Sequence, residues 1–201
     1  PVRNRAANLG FCLAALSEQT LPRENWEVII SDDRSKDDTH NTALRFQKLL
    51  PGFKYFYNTQ NSDWNASVPR NLGARLVSRA STHLLFLDSD VCLRKDVLQR
   101  HWESIHRNPD RVIIGVYHWL VPTTVTTELI TSEFDQLLAS RQWTPDLRMV
   151  SFNEVSGPDE IRSSLFDGLA CFSGHIVIPR RIFWKAGGYD EDIRKGCEDG
   201  D

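Results

Sequence analysis

Two groups of carboxylates follow apolar runs in the sequence. Asp88-Ser89-Asp90 comes directly after the run 83–87, and Asp32-Asp33 follows the run 26–30. Carboxylates that leave a buried strand into a loop offer the hard oxygen ligands that Mg²⁺ and Mn²⁺ prefer, and they leave positions open for phosphate oxygens. The pattern favours a site for a cation and a diphosphate. An Asp-rich turn that caps the next helix has the same composition and stays open as the alternative.

A third acidic group lies near the end of the sequence, where Glu198-Asp199 and Asp201 stand beside glycines. Gly196 and Gly200 allow the backbone to approach a ligand closely, because they carry no Cβ atom. Functional side chains often lie on loops that a rigid scaffold positions. Taken alone, this group is more typical of a solvated acidic turn.

The elements that must position these groups alternate along the chain. Short apolar runs predict strands at 26–30, 54–57, 83–87, 111–120 and 169–178. Helical spacing, with capping or proline signals, predicts helices at 6–17 (capped by Asn4), 35–50, 67–80, 95–107, 126–141 and 179–186. Residues 143–158 have neither helical nor strand periodicity and predict a long functional loop. This order predicts an α/β domain with a mostly parallel sheet covered on both faces. Ligand sites of such sheets lie outside the carboxyl ends of the strands, so the first two acidic groups are expected to converge on one edge.

Length and charge restrict the class of protein. The 201 residues predict one domain over 1–201, since a domain has roughly 150 residues. The 24 Lys and Arg against 27 Asp and Glu give a net charge of −3, which removes support for a nucleic-acid-binding surface. The longest apolar stretch, 112–121, is about half of the ~20 residues that cross a bilayer, so no transmembrane segment is predicted.

The cysteines predict no disulfide scaffold and no zinc site. They are too few and too scattered for either, and we interpret all four as free thiols: Cys12, Cys92, Cys171 and Cys197. Residues 1–5 do not have the form of a natural start, and the last residues fall inside the acidic group. We therefore expect the sequence to be part of a longer protein.

Five motifs together resemble the family 2 glycosyltransferases with the GT-A fold, in order and in spacing, over essentially the whole chain. They are Pro1 to Arg5, Val28 to Thr39, Pro69 to Gly73, Phe86 to Asp90, and Gly187-Gly188-Tyr189-Asp190-Glu191 through Glu198-Asp199. The last part, 172–199, is also similar to the acceptor-side segment of galactosyltransferase-type enzymes. The resemblance implies a nucleotide-binding half over 1–120 and an acceptor-side half over 121–201.

The resemblance implies a nucleotide site on the first half. Asp33 would receive the uracil ring, a role that suits a group accepting the imide N–H, with Asp32 as its neighbour. Pro1 and Arg3 would wrap the base and the ribose, since a guanidinium stacks on a base as an aromatic ring does. Arg70 would lie near the diphosphate. Uridine diphosphate is favoured over guanosine diphosphate by the Asp33 match alone.

The resemblance also assigns the acidic groups. Asp90 would be the principal ligand of a divalent cation, Mn²⁺ or Mg²⁺, and Asp88 would face the ribose or the water shell of the metal. Asp199 would act as general base, with Glu198 as the other member of the acidic pair. None of the six histidines is assigned to the metal.

The implied activity is that of an inverting, metal-requiring glycosyltransferase. It would move a sugar from a nucleotide-diphosphate donor, a UDP-sugar, to a hydroxyl of a carbohydrate or lipid-linked acceptor, in polysaccharide or glycolipid synthesis. The expected location is the cytoplasm, at the inner face of the membrane where the acceptor is lipid-linked. A sugar nucleotidyltransferase stays open, although the Gly-rich phosphate loop of such enzymes is missing near the first strand. A binding module without activity also stays open, and the intact Asp88, Asp90 and Asp199 argue against it.

Overall fold

The computed structural model describes residues 1–59, 65–120, 125–139, 143–145 and 173–193. The helices are α1 (Ala6–Ser17), α2 (Thr39–Arg45), α3 (Ser67–Arg75), α4 (Val97–Arg107), α5 (Thr127–Thr131), α6 (Phe134–Ala139) and α7 (Arg180–Lys185). The strands are β1 (Ile29–Asp32), β2 (Lys54–Tyr57), β3 (His83–Leu87), β4 (Ile113–Ile114), β5 (His118–Leu120), β6 (Trp143–Pro145) and β7 (His175–Pro179). The alternation of strands and helices confirms the α/β class.

The helix α1 has the predicted bounds, but its start is held differently from the prediction. Leu9, Leu13 and Leu16 are buried on one side of it, as their spacing requires. The amide of Ala6 donates to Asp37 Oδ2 at 3.0 Å, and Asn4 is not the cap. Asn4 instead accepts from the Lys36 amide at 2.7 Å, because the loop after β1 folds back over the first residues.

The same loop explains why α2 is shorter than the predicted helix 35–50. The Ser35 amide donates to Asp32 Oδ1 at 2.8 Å, and the Asn4 amide donates to Ser35 Oγ at 2.8 Å. Residues 33–38 are therefore used to join β1 to the first residues of the chain. The helix begins only at Thr39, whose amide donates to Asp37 Oδ1 at 3.1 Å.

The sheet pairs in two directions. The strands β1 and β2 are parallel, and Val2 forms an isolated parallel bridge to Asp32. In contrast, β7 is antiparallel to both β3 and β4, with β5 antiparallel to β6. The expected parallel pairing is thus present at β1 and β2, while the later strands pair antiparallel. An apolar run indicates that a strand is buried and does not indicate its direction.

Two predicted elements are divided in the structure. The predicted strand 111–120 consists of β4 and β5, separated at Gly115, where a Cβ atom would collide with the ring of His175. The predicted helix 126–141 consists of α5 and α6. The loop predicted at 143–158 is wrong at its start, because Trp143–Pro145 form β6, which pairs with β5. The rest of that loop and the first residues of the predicted strand 169–178 lie outside the described residues.

The buried side chains form two clusters on opposite faces of β3. Leu85 and Leu87 pack with α1 and α4, whereas Leu84 and Phe86 pack with α3 and α7. Of the cysteines, Cys12 and Cys92 are free thiols and the other two lie outside the described residues. Within the described ranges, no helix is long and apolar enough to cross a membrane. The division into halves at residue 120 stays a prediction.

Candidate functional site

The polar groups singled out in the sequence lie at the carboxyl ends of the strands. Asp33 follows β1, and Asp88 and Asp90 follow β3. Pro1 lies between the two strand ends, near Asp32 at the end of β1 and near Asp88 and Arg70 at the end of β3. The two acidic groups thus share one edge of the fold.

A closed set of side chains, which we call the β1 cluster, surrounds Asp33 and comprises Arg3, Asp33, Arg34 and Asn58. Arg3 Nη1 lies 3.1 Å from Asp33 Oδ2, while Arg34 Nε and Asn58 Nδ2 each lie 3.3 Å from Oδ1. The Asp33 side chain is 3% exposed and that of Arg3 is 32% exposed, so Arg3 forms the solvent-facing part of the pair. Two guanidinium groups beside one carboxylate leave a net positive charge.

Asp32 is completely buried and supports the loop that carries the β1 cluster. Tyr55 donates its hydroxyl to Asp32 Oδ2, and the Ser35 amide donates to Oδ1 at 2.8 Å. Burial, reinforced by the hydrogen bond to Asp32, raises the pKa of the Tyr55 hydroxyl. The geometry fits a positioning role for Asp32, and direct contact with a nucleotide stays a prediction.

An open set of side chains, the β3 cluster, comprises Arg70, Asp88, Asp90 and Tyr189. Arg70 Nη2 lies 3.1 Å from Asp88 Oδ1, and the guanidinium carbon lies 5.4 Å from the centre of the Tyr189 ring. Arg70 is 5% exposed, whereas the Asp88 side chain is 40% exposed and Asp90 is exposed. The cation is therefore fixed in the fold, and the carboxylates face solvent.

Gly174 joins the β3 cluster to β7. The Asp88 amide donates to the Gly174 carbonyl at 2.9 Å. A Cβ atom at Gly174 would collide with Tyr117 Oη and would lie 2.9 Å from Asp88 Oδ2. A larger residue here would have to displace both groups, so glycine lets the Tyr117 hydroxyl and the Asp88 carboxylate lie close to the backbone of β7.

Asn71 fastens the turn after α7 to α3. Its Nδ2 donates to the Tyr189 carbonyl and to Glu191 Oε1, both at 2.8 Å, and its Oδ1 accepts from the Tyr189 amide at 3.0 Å. Gly188, at φ 82°, permits the close approach of this turn. The chain that leads toward Glu198 and Asp199 is thus held beside Arg70, while both acidic residues themselves lie outside the described range.

Several supporting residues were missed in the sequence. Asn58 had a signal, since it follows β2 at the same edge as Asp33. Asn71 lies inside the motif 69–73, but its partners are about 120 positions away and the motif alone does not name them. His101 and His175 were not assigned any role from the sequence, and in the structure their Nε2 atoms lie 2.8 Å apart. Burial lowers the pKa of His101 to about 4.

The described part of the chain offers two carboxylates to the expected cation. It contains no group of three or more His, Cys, Asp or Glu side chains that could hold a metal. Asp88 and Asp90 are oxygen donors with solvent access, separated by one residue. Such a pair suits Mg²⁺ or Mn²⁺, which keep waters and accept phosphate oxygens as further ligands. The residues present therefore fit the expected ion.

Comparisons with known proteins show the family and the fold of the chain. The family model for glycosyl transferase family 2 matches residues 1–185. The validoxylamine A glucosyltransferase of Streptomyces hygroscopicus subsp. jinggangensis (strain 5008) is 30% identical over 202 residues, covering 96% of this chain and 46% of that protein. The poly(ribitol-phosphate) beta-N-acetylglucosaminyltransferase TarP of Staphylococcus aureus (strain N315) is 32% identical over 117 residues, or 58% of this chain and 35% of TarP. The chain spans less than half the length of these relatives.

Solved structures show the fold. S. aureus TarS 1–349 matches with a TM-score of 0.72 at 19% identity, covering 100% of this chain and 51% of that chain. The same protein in complex with UDP-GlcNAc gives 0.64 at 17% identity, with coverages of 100% and 49%. The mannosyltransferase PcManGT from Pyrobaculum calidifontis, in complex with GDP-Man and Mn²⁺, gives 0.61 at 17% identity, with coverages of 100% and 48%. The expected GT-A fold is confirmed.

Proposed function

The chain belongs to glycosyl transferase family 2, and we propose that it binds a UDP-sugar and transfers the sugar, with inversion, to an acceptor hydroxyl. The observation that carries the proposal is the placement of the two clusters at one edge of the fold. The β1 cluster offers a buried carboxylate under a guanidinium, and the β3 cluster offers a fixed cation beside open carboxylates. Those are the groups that a base and a diphosphate require.

The β1 cluster is the proposed site of the base. Among the described residues, three side chains donate hydrogen bonds to the Asp33 carboxylate, and one of these bonds goes to Oδ2. A carboxylate oxygen has two lone pairs, so Oδ2 retains capacity for the imide N–H of uracil. Arg3 covers this atom and is the side chain that stacks on, or moves aside for, the incoming ring.

The β3 cluster is the proposed site of the diphosphate. Arg70 is held by Asp88 and Tyr189, so its charge is in place before the donor arrives. Asp90, with Asp88, would hold the divalent cation, which stabilises the negative charge of the leaving nucleoside diphosphate when it is bound. The complex of PcManGT with GDP-Man and Mn²⁺ supports this part of the proposal.

The transfer itself is a single displacement. Asp199 takes the proton from the acceptor hydroxyl, and that oxygen forms a bond to the anomeric carbon. The bond between that carbon and the diphosphate oxygen breaks, and its electron pair leaves with UDP. Glu198 is the acidic neighbour of Asp199. No sugar–enzyme bond is formed, so the configuration at the anomeric carbon is inverted.

The acceptor is proposed to be a carbohydrate or a lipid-linked sugar. Relatives whose names refer to poly(ribitol-phosphate) support a role in the synthesis of a surface polymer. The donor class has its own support in the TarS complex with UDP-GlcNAc. A location at the inner face of the membrane follows for a lipid-linked acceptor and stays a prediction.

The test is incubation with a panel of UDP-sugars and GDP-mannose, with Mn²⁺, Mg²⁺ or EDTA. We expect a UDP-sugar to raise the unfolding temperature in the presence of the cation, because a ligand that binds only the native state stabilises it. We also expect release of UDP when an acceptor is supplied. Release of pyrophosphate from a sugar phosphate and UTP would instead identify a nucleotidyltransferase. Binding without turnover, with any acceptor, would identify a binding module.

A further inference from the structure

The fifth sequence motif begins with Gly187-Gly188-Tyr189-Asp190-Glu191, and the resemblance assigns this part of the chain to the acceptor side. In the structure, the Tyr189 ring lies instead against Arg70, whose guanidinium carbon is 5.4 Å from the ring centre. Arg70 is the cation of the proposed diphosphate site and therefore belongs to the donor side. The first half of the motif thus contacts the donor side through Tyr189.

The backbone of Tyr189 is held by the residue that follows Arg70 in α3. Asn71 Oδ1 accepts from the Tyr189 amide at 3.0 Å, and Asn71 Nδ2 donates to the Tyr189 carbonyl at 2.8 Å. Asn71 is 2% exposed, so water does not compete for these two bonds. Arg70 and Tyr189 are therefore joined twice, once by their own side chains and once through the Asn71 amide.

The ring of Tyr189 is held by two other aromatic side chains. Its centre lies 5.0 Å from that of Phe86 at an interplanar angle of 85°, and 5.6 Å from that of Phe183 at 61°. Edge-to-face contacts of this kind are the preferred arrangement of aromatic pairs. Phe86 belongs to β3 and Phe183 to α7, so the ring is fixed between a strand and a helix. It therefore presents one face to Arg70.

The face of an aromatic ring attracts a guanidinium. The face carries the negative part of the ring quadrupole, and a cation within about 6 Å of the ring centre is stabilised by it. The attraction grows where water is excluded. The Arg70 side chain is 5% exposed and its Nε atom is buried. Since a buried charge is costly without a partner, the ring offsets part of this cost and brings no charge of its own.

The lack of charge distinguishes Tyr189 from Asp88, which also contacts Arg70. Asp88 Oδ1 lies 3.1 Å from Arg70 Nη2. The same carboxylate, with Asp90, is proposed to hold the divalent cation. A divalent cation would compete with Arg70 for that carboxylate, because it carries the larger charge. The neutral ring takes no part in this competition and stays a partner of Arg70 whether or not the cation is bound.

We propose that Tyr189 is a positioning residue of the donor diphosphate site. It holds the Arg70 guanidinium in the fold and leaves the positive charge available to phosphate oxygens when Asp88 binds the cation. The inference rests on the proposed function, since the diphosphate of the donor is the group that Arg70 would bind. A residue that acts through Arg70 should affect the binding of phosphates and should not affect the binding of the base.

The test compares UDP with uridine, which lacks the phosphates. Tyr189→Leu removes the ring, whereas Tyr189→Phe retains its face. With Mg²⁺ present, calorimetry measures the Kd for UDP and an NMR titration measures the Kd for uridine. We expect Tyr189→Leu to raise the Kd for UDP by about 5- to 30-fold and to leave the Kd for uridine within about twofold of the parent. Tyr189→Phe should leave both unchanged, and a purely structural role would not change their ratio.

Phe46→Leu is the matched control, because it removes a ring from the other core cluster. It should lower the unfolding temperature and keep the ratio of the two Kd values. Where Tyr189→Leu does not fold, pentafluorophenylalanine at position 189 takes its place. That ring has nearly the size of phenylalanine but a positive face, so compared with Tyr189→Phe it should weaken UDP binding by a similar factor and leave uridine binding unchanged.

A second measurement needs no nucleotide. Hydrogen exchange at Arg70 Nε, followed by NMR, should be slow in the parent and in Tyr189→Phe and faster in Tyr189→Leu. Parental UDP affinity in Tyr189→Leu, equal losses for UDP and uridine, or an equally large loss in Tyr189→Phe would overturn the proposal. If the parent binds no nucleotide, the proposed transferase function is contradicted. The exchange rates then decide the role of Tyr189: faster exchange in Tyr189→Leu than in Tyr189→Phe supports it, and equal rates overturn it.

Discussion

The β1 cluster and the β3 cluster arise from similar sequences and have different accessibility. Both begin with two aspartates after an apolar strand. Asp33 of the β1 cluster and its neighbour Asp32 are buried and bonded to protein groups. In the β3 cluster, Asp88 is 40% exposed and Asp90 is exposed.

The spacing of the aspartates and the loop explain the difference. Adjacent residues at the end of a strand point to opposite sides, so Asp32 turns to Tyr55 while Asp33 turns to Arg3. The loop after β1 then closes over both of them. The first region is thus enclosed by protein groups, which suits the proposed binding of a neutral ring. The second has exposed carboxylate oxygens, which suit the proposed binding of a cation and a diphosphate.

The largest effect on turnover is expected at Asp199, which belongs to neither cluster. Asp199→Asn keeps the shape of the side chain and removes its basicity. Turnover should fall by about 10²- to 10⁴-fold, the range for a positioned general base. The Kd for UDP should change little, because the residue serves the acceptor. Steady-state rates and calorimetry with UDP on the full-length protein measure the two effects separately.

Asp201→Asn is the matched control for this prediction. It removes a carboxylate two positions away and should keep parental turnover. Parental turnover in Asp199→Asn would transfer the role to Glu198 or Asp201. A joint loss of rate and UDP affinity would place the acidic pair with the β3 cluster.

A second prediction distinguishes the two clusters by how stability near each of them changes with pH. Burial lowers the pKa of His101 from 6.5 to about 4, so between these values the unfolded chain binds a proton that the folded chain does not. The free energy of unfolding should be highest above pH 6.5 and should fall toward pH 4 by up to about 3 kcal/mol. Urea unfolding from pH 4 to 7.5 measures this loss.

His101→Gln should remove that part of the pH dependence, and His106→Gln, at an exposed position of the same helix, should retain it. His101 contacts His175, which follows Gly174, the partner of the Asp88 amide. Hydrogen exchange should therefore accelerate at Asp88 on acidification before it does at Asp33. The reverse order would contradict a link between the histidine pair and the β3 cluster.

Parts of the fold could be predicted because local signals decide them. The bounds of α1, β2 and β3 follow from helical spacing or a short apolar run and agree with the structure. The antiparallel direction of β7 could not be predicted, since it depends on where a distant segment returns. Likewise, α2 is short because Asp32 and Asn4 bind the loop before it, which no local pattern indicates.

The candidate site shows the same division. Asp33, Asp88 and Asp90 could be placed at one edge from the sequence, because they follow β1 and β3 and the carboxyl ends of strands in an α/β fold share an edge. The partners that set their properties come from remote positions. Asn58 and Arg3 reach Asp33 across 25 and 30 residues, and only the folded chain brings them together.

A third prediction tests the exposed β3 cluster. Asp90→Ala removes an exposed carboxylate and should leave the fold intact, because the side chain is exposed. UDP affinity in Mn²⁺ should fall to the value measured in EDTA, a loss of about 10- to 100-fold. Asp110→Ala, an exposed carboxylate paired with Arg181, is the matched control and should keep the parental response to Mn²⁺. An undiminished effect of Mn²⁺ in the Asp90 variant would remove Asp90 from the cation site.

The last prediction concerns the closed side, where two neighbouring aspartates should respond in different ways to the same change. Asp33→Asn should weaken UDP binding by about 1–3 kcal/mol, since a charge-assisted hydrogen bond to the base is lost. The Asp32→Asn variant cannot accept both the Tyr55 hydroxyl and the Ser35 amide as the carboxylate does. It should therefore lower the free energy of unfolding by about 1–3 kcal/mol. Calorimetry with UDP and urea unfolding of both variants measure the contrast. Equal UDP affinity in Asp33→Asn and the parent would mean that Asp33, like Asp32, only holds the loop, and the β1 cluster would then be a structural joint between the first residues and the sheet.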